Sequence, residues 1–169
     1  MEKLIFLVAS IVLSVVIVAT RNMWTKQHVL KYGFVGVFLV NLLGNATLFF
    51  PAPSLAATFV AGSKLDPFSV GAVSAAGATI GESTGYMAGY GGQEFVSSRP
   101  VYQTIERWMA RSGFWTLFLV AVLPNPFFDV AGTISGMMNY PYWKFLTAVF
   151  LGKLVKCTVL ALLGRHVLR

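Results

Sequence analysis

Charge is what this sequence has least of. Only 11% of its 169 residues are Asp, Glu, Lys or Arg, while 56% are hydrophobic; soluble domains carry about 25% charge. So few charges cannot cover a water-facing surface, which excludes a soluble globular fold and leaves an all-α integral membrane protein. Acids are scarcer still, six against 13 Lys and Arg, for a formal net charge of +7. The basic residues are scattered between apolar runs, with no clustered face and no nucleic-acid motif, so nucleic acid is excluded as a partner. Interfacial Lys and Arg meeting anionic lipid headgroups account for the excess. Cys157 is the one cysteine, so no disulfide closes within the chain. His28 and His166 both stand at the ends of apolar runs, a poor start for a metal site. No Ser-His-Asp, Cys-His or paired metal-ligand pattern occurs, so neither enzymatic chemistry nor a metal or other cofactor is expected.

What is present is a succession of apolar runs. Leu4 to Thr20 follows Glu2 and Lys3 and lacks an Ala-x-Ala cleavage pattern, so it reads as a retained signal-anchor helix. With the interfacial linker carrying Trp24, Lys26 and Lys31, it makes a first unit, 1–32, ahead of a membrane domain over 33–169. A second run, from Gly33 to Gly62, is interrupted by Asn41, Asn45 and Pro51-Ala52-Pro53. A polar turn at 63–67 leads into a small-residue-rich run from Phe68 to about Gly91. The stretch 93–112 is the most polar. Gly113 to Met138 contains Pro124-Asn125-Pro126, and a last helix extends from Lys144 to about Gly164.

Each Pro-x-Pro removes two N–H donors and clashes with carbonyls one turn earlier, so a helix breaks there. Broken backbone at membrane depth persists only where protein or a wet cavity shelters it. The two breaks belong to a repeat. Pro51 and Pro53 precede Gly62 and Pro67-Phe68; Pro124 and Pro126 precede Gly136 and Pro141-Tyr142. The units cover about 33–91 and 113–164. Two geometries fit. As tips of re-entrant hairpins, the prolines give an inverted repeat, and the arms 54–62 and 113–123 measure about 14 and 16 Å as helix, half of a roughly 30 Å core. As kinks in full spans they give a parallel repeat. The positive-inside rule prefers the kinked spans and the arm lengths prefer the hairpins, so the residues alone leave both open.

Glu82 and Asp129 are the acids well inside apolar runs, and Lys153 and Lys156, three apart on the last helix, are their natural partners. Ionisable groups at membrane depth are expensive and face a cavity or a partner, so these four are candidates for a headgroup or proton site. A structural ion pair is the plainer reading. Asn45 and Asn125, beside the breaks, can bond freed backbone groups or simply cap the helix ends. Gly77, Gly81, Gly85 and Gly89 form a stripe at four-residue spacing, the pattern of close helix packing.

These motifs resemble the DedA family, also known as the VTT or SNARE-associated Golgi protein domain. The resemblance is carried by the first Pro-x-Pro, by Gly81-Glu82-Ser83-Thr84-Gly85-Tyr86-Met87-Ala88-Gly89, and by Leu123-Pro124-Asn125-Pro126 through Gly136-Met137 to Phe145. It covers most of the chain, about 33–164, and adds Tyr86 to the candidate site. It implies an inverted repeat of re-entrant hairpin plus transmembrane helix, and two hairpins facing each other. It also implies a multi-pass protein of a prokaryotic cell membrane that scrambles or flips phospholipid or isoprenoid-phosphate lipid, with membrane lipids and protons as partners and homo-oligomers left open. The chain departs from the pattern twice. Gly44-Asn45 stands where many bacterial members have an acid, and no arginine lies between Ser112 and Lys144. An uncoupled scramblase, or a branch using Asp129 with Lys153 and Lys156, fits those departures. The rival functions are a small ion- or proton-coupled solute transporter and a non-transporting membrane organiser acting through the glycine stripe.

Overall fold

Helices begin and end here at the residues that interrupt the apolar runs. The computed structural model describes residues 32–46, 52–92, 100–123 and 127–168, and every regular element among them is helical. In order these are α1 (Gly33–Ala46), α2 (Ala52–Lys64), α3 (Pro67–Gly91), α4 (Pro100–Val122), α5 (Phe127–Met137) and α6 (Tyr142–Val167). The expected anchor and linker over 1–31, together with Pro51, Pro124, Asn125 and Pro126, lie outside the described residues, as do the side chains of Pro53 and Asp129.

Local chemistry sets the boundaries. Asp66 caps α3, its carboxylate accepting from Ser69 N at 2.8 Å with Pro67 in the first turn, where a missing N–H costs nothing. Asn139, at φ 52°, ends α5 in the left-handed region. The turn is closed by Tyr140 N donating to Ser135 O at 2.9 Å, a helix-end motif in which Asn replaces the usual Gly. α4 breaks at Ser112, beside Gly113, and such Ser/Gly pairs are where kinks form. The part before the break is amphipathic: Ile105 and Met109 are buried, while Glu106, Arg107, Trp108 and Arg111 are exposed. The part after it is apolar.

By length and composition α6 is the one described helix able to cross a membrane, and α1 is apolar but shorter. α3 has 25 residues, about 37 Å, more than half of them buried; Gly and Ser replace large apolar groups because neighbouring helices cover it. α1 and α2 have 14 and 13 residues, about 21 and 20 Å.

α1 and α2 lie antiparallel, since Asn41 bonds Thr58 while Asn45 bonds Ser54. The α4–α5 pair also comes back on itself, Gly113 packing against the ring of Tyr140. α3 and α6 run in opposite directions: Gly71 meets Thr158, Glu82 meets Lys153, and Tyr86 meets Phe145. α2 then crosses α6, and α5 crosses α3. Glycines make both crossings. Gly62 and Gly164 sit on the backbone of Ala161 and Phe59; Gly136 and Gly89 sit on the backbone of Tyr86 and Thr133. Gly77 and Gly81 bring α3 onto α1 at Phe38 and Leu42, and Gly85 is buried. The four-residue stripe is therefore consumed inside the bundle.

Two apolar clusters form the core. One joins Val37, Val40, Ala57, Val70 and Ala161; the other joins Leu117, Val120, Ala131, Ile134 and Phe145. Their members correspond in register: Val37 with Leu117 and Val40 with Val120 are 80 apart, Ala57 with Ala131 74, and Val70 with Phe145 75.

Candidate functional site

A polar seam starts in the α1–α2 pair, from residues spaced one turn apart on each arm. Asn41 and Asn45 share one face of α1, and Ser54 and Thr58 share the facing side of α2. Asn41 Nδ2 donates to Val37 O at 2.9 Å and to Thr58 Oγ1 at 3.1 Å. Thr58 Oγ1 lies 3.0 Å from Ser74 Oγ on α3. Asn45 Nδ2 donates to Asn41 O at 2.7 Å and to Ser54 Oγ at 3.3 Å. The Asn45 amide oxygen is left facing outward from the pair.

That oxygen accepts from Lys153 Nζ at 2.6 Å, and the same ammonium donates to Glu82 Oε1 at 2.7 Å. Lys153 is 1% exposed and Glu82 4%, so both charges have left water and each depends on the other. Lys153 lies 11 residues into α6, about 16 Å from its start and 21 Å from its end, near the middle of the helix. Lys156, half-buried one turn on, adds its positive field at Glu82.

The far side of Glu82 is small and aromatic. A Cβ built on Gly132 of α5 would have Glu82 Oε2 as its nearest neighbour, at 3.9 Å. Asp129 stands one turn before Gly132 on the same helix. Tyr86 packs between Tyr142 and Phe145, with ring centroids 5.2 and 5.1 Å away. Its hydroxyl donates to Tyr140 O at 2.7 Å, and Tyr142 OH donates to Ser83 Oγ at 2.8 Å. These rings close one end of the site and leave no cage between them.

The structure thus brings Asn45, Glu82 and Lys153 into contact, with Tyr86 and Lys156 alongside. Asn41, Ser54, Thr58 and Ser74 belong to the same seam, though single residues in apolar runs carry little signal. Their four-residue spacing on both arms was the clue: 41 with 45, and 54 with 58. The seam is not duplicated by the repeat. At the 75-residue register of the two long helices, Glu82 corresponds to Cys157 and Lys153 to Ala78, so this polar pair exists once.

The VTT domain model matches residues 50–166. Vacuole membrane protein KMS1 of Arabidopsis thaliana is 34% identical over 55 residues, 30% of this chain and 13% of that protein. The vacuole membrane protein 1 homolog of Dictyostelium discoideum is 46% identical over 43 residues, 25% of this chain and 11% of its own length. Vacuole membrane protein 1 of Mus musculus is 28% identical over 81 residues, 44% of this chain and 20% of its own length. The chain therefore matches only a fifth or less of these curated relatives. No solved structure matches it. Because the domain model covers well over half of the sequence, this all-helical membrane protein belongs to the VTT-domain family.

Proposed function

We propose that the protein lets the polar headgroups of membrane lipids pass between leaflets. The observation that carries this reading is the buried seam ending on Lys153 and Glu82, half-way along the long helices and beside a pair of short ones. A headgroup in hydrocarbon has lost its hydration, a cost of several kcal/mol for each unsatisfied polar group. A line of amides, hydroxyls and one ion pair replaces that hydration while the acyl tails stay in lipid.

In this reading α1 with α2, and the second part of α4 with α5, are re-entrant hairpins of an inverted repeat. Four observations support it: the antiparallel arms, their lengths short of a full span, the opposed α3 and α6, and the matched crossings at Gly62 and Gly136. Single cysteines replacing Arg107 and Lys144 in a Cys157→Ser background check it. Hairpins put both on one face of the membrane, and labelling from opposite faces would replace them with kinked spans.

The acid and the arginines that the resemblance associates with proton coupling and headgroup binding are missing here, and we assign their place to Asn45 with Lys153 and Glu82. Passive exchange is the reading we adopt. Its test is leaflet exchange of fluorescent lipids in proteoliposomes. The expected result is exchange well above the protein-free rate; protein-free rates for the common phospholipids and for an isoprenoid phosphate would dispose of the proposal. An organiser acting through the glycine stripe finds no support, since α1 and α5 cover Gly77, Gly81 and Gly89.

A further inference from the structure

The ion pair at the centre of the seam is one-sided. Glu82 Oε1 takes the Lys153 ammonium, whereas Oε2 has no hydrogen-bond partner among the described residues. A carboxylate has about four lone-pair sites, and leaving an oxygen of a 4%-exposed group unmet is costly. Around it, Asn41, Asn45, Thr58 and Lys153 are each bonded to a neighbour. No side chain of Gly132 stands against Oε2. Among the described residues, the nearest atom to a Cβ on Gly132 would be that oxygen itself, at 3.9 Å, with Glu82 O and Phe145 Cε2 each at 4.0 Å.

Building on the lipid-exchange reading, we propose that Glu82 Oε2 receives the N–H donors of a primary ammonium headgroup. The open partner is an anionic acceptor, so its ligand is a donor and best a cationic one. Lys153, on the other oxygen, leaves the resident pair neutral. A headgroup that is itself a phosphate–ammonium zwitterion enters without adding net charge at mid-membrane, where net charge is expensive. A trimethylammonium group has no N–H to give and leaves Oε2 as it was.

An N-methylation series tests this in proteoliposomes: fluorescent phosphatidylethanolamine, its mono- and dimethyl forms, and phosphatidylcholine. Exchange is expected to fall about tenfold or more when the last N–H is lost, the scale of one hydrogen bond to a charged group. Glu82→Gln flattens the series. Gly132→Ala, whose Cβ makes ordinary contacts, keeps the ion pair but covers Oε2, so it narrows the ratio even if Glu82→Gln folds poorly. Soluble ethanolamine that slows exchange in the wild type and not in Glu82→Gln shows that the ammonium alone is recognised, and supports the assignment. Equal wild-type rates across the series overturn it and leave lipid exchange standing. A graded series unchanged in both variants overturns the role of Glu82, and no exchange of any lipid removes both readings.

Discussion

Lys153→Met is expected to destabilise the protein by about 3–5 kcal/mol, because it leaves Glu82 buried without its counter-charge. Glu82 is 4% exposed, and its one ion-pair partner among the described residues is the ammonium at 2.7 Å. Asn45 loses a donor at the same time. For a chain of this size that loss corresponds to a fall of roughly 10 °C in the midpoint of thermal unfolding, read as the surviving monodisperse fraction after heating in detergent. The double variant Lys153→Met with Glu82→Leu should recover most of it, since well-packed apolar replacements of a buried pair are often neutral or stabilising. Exchange of lipid should nevertheless stay low in the double variant, and that separation of stability from transport is the point of the experiment. If Lys153→Met keeps the wild-type midpoint, the pair is not sequestered as described and the seam loses its centre.

The second large effect is expected at Gly136. A Cβ there would stand 2.6 Å from Tyr90 N and press on Tyr86 O, both backbone atoms of α3 that no rotamer change can move aside. Alanine therefore has to lift α5 off α3. Overpacking of this kind costs about 1–3 kcal/mol, and Gly136→Leu more. Gly164→Ala should behave alike, since its Cβ meets Phe59 O at the other crossing. Gly132→Ala, four residues from Gly136 on the same helix, has no neighbour closer than 3.9 Å among the described residues and should cost little. The ranking is checked by thermal midpoints of the three variants. Should Gly132→Ala prove the most damaging, the register of α5 on α3 is wrong.

Much of this was legible before any coordinates. A shortage of charge required a membrane, and Pro-x-Pro twice in apolar runs called for helix boundaries, which fall at Ala52 and Phe127. Landmarks 73 and 74 residues apart pointed to two related units; in the core Ala57 and Ala131 stand at that spacing, while Val37 and Leu117 stand 80 apart. Other features were only half visible. The glycine stripe predicted close packing without saying against what: Gly77 and Gly81 meet α1, yet Gly89, on the same stripe, meets α5. A repeat at 3.6 residues per turn identifies a face, but the crossing angle decides which neighbour that face touches at each level.

By itself, the sequence determined the solvent, the helical class, the broken segments and the few ionisable groups that had to find shelter, because each follows from composition or from spacing along one chain. Only the tertiary structure decided that Lys153 serves Glu82 and Asn45 together, partners 71 and 108 residues away. The physical reason is that a buried charge is stabilised by whatever the packing places within three ångströms of it. That proximity is set by glycine-mediated crossings of distant helices, not by any local pattern.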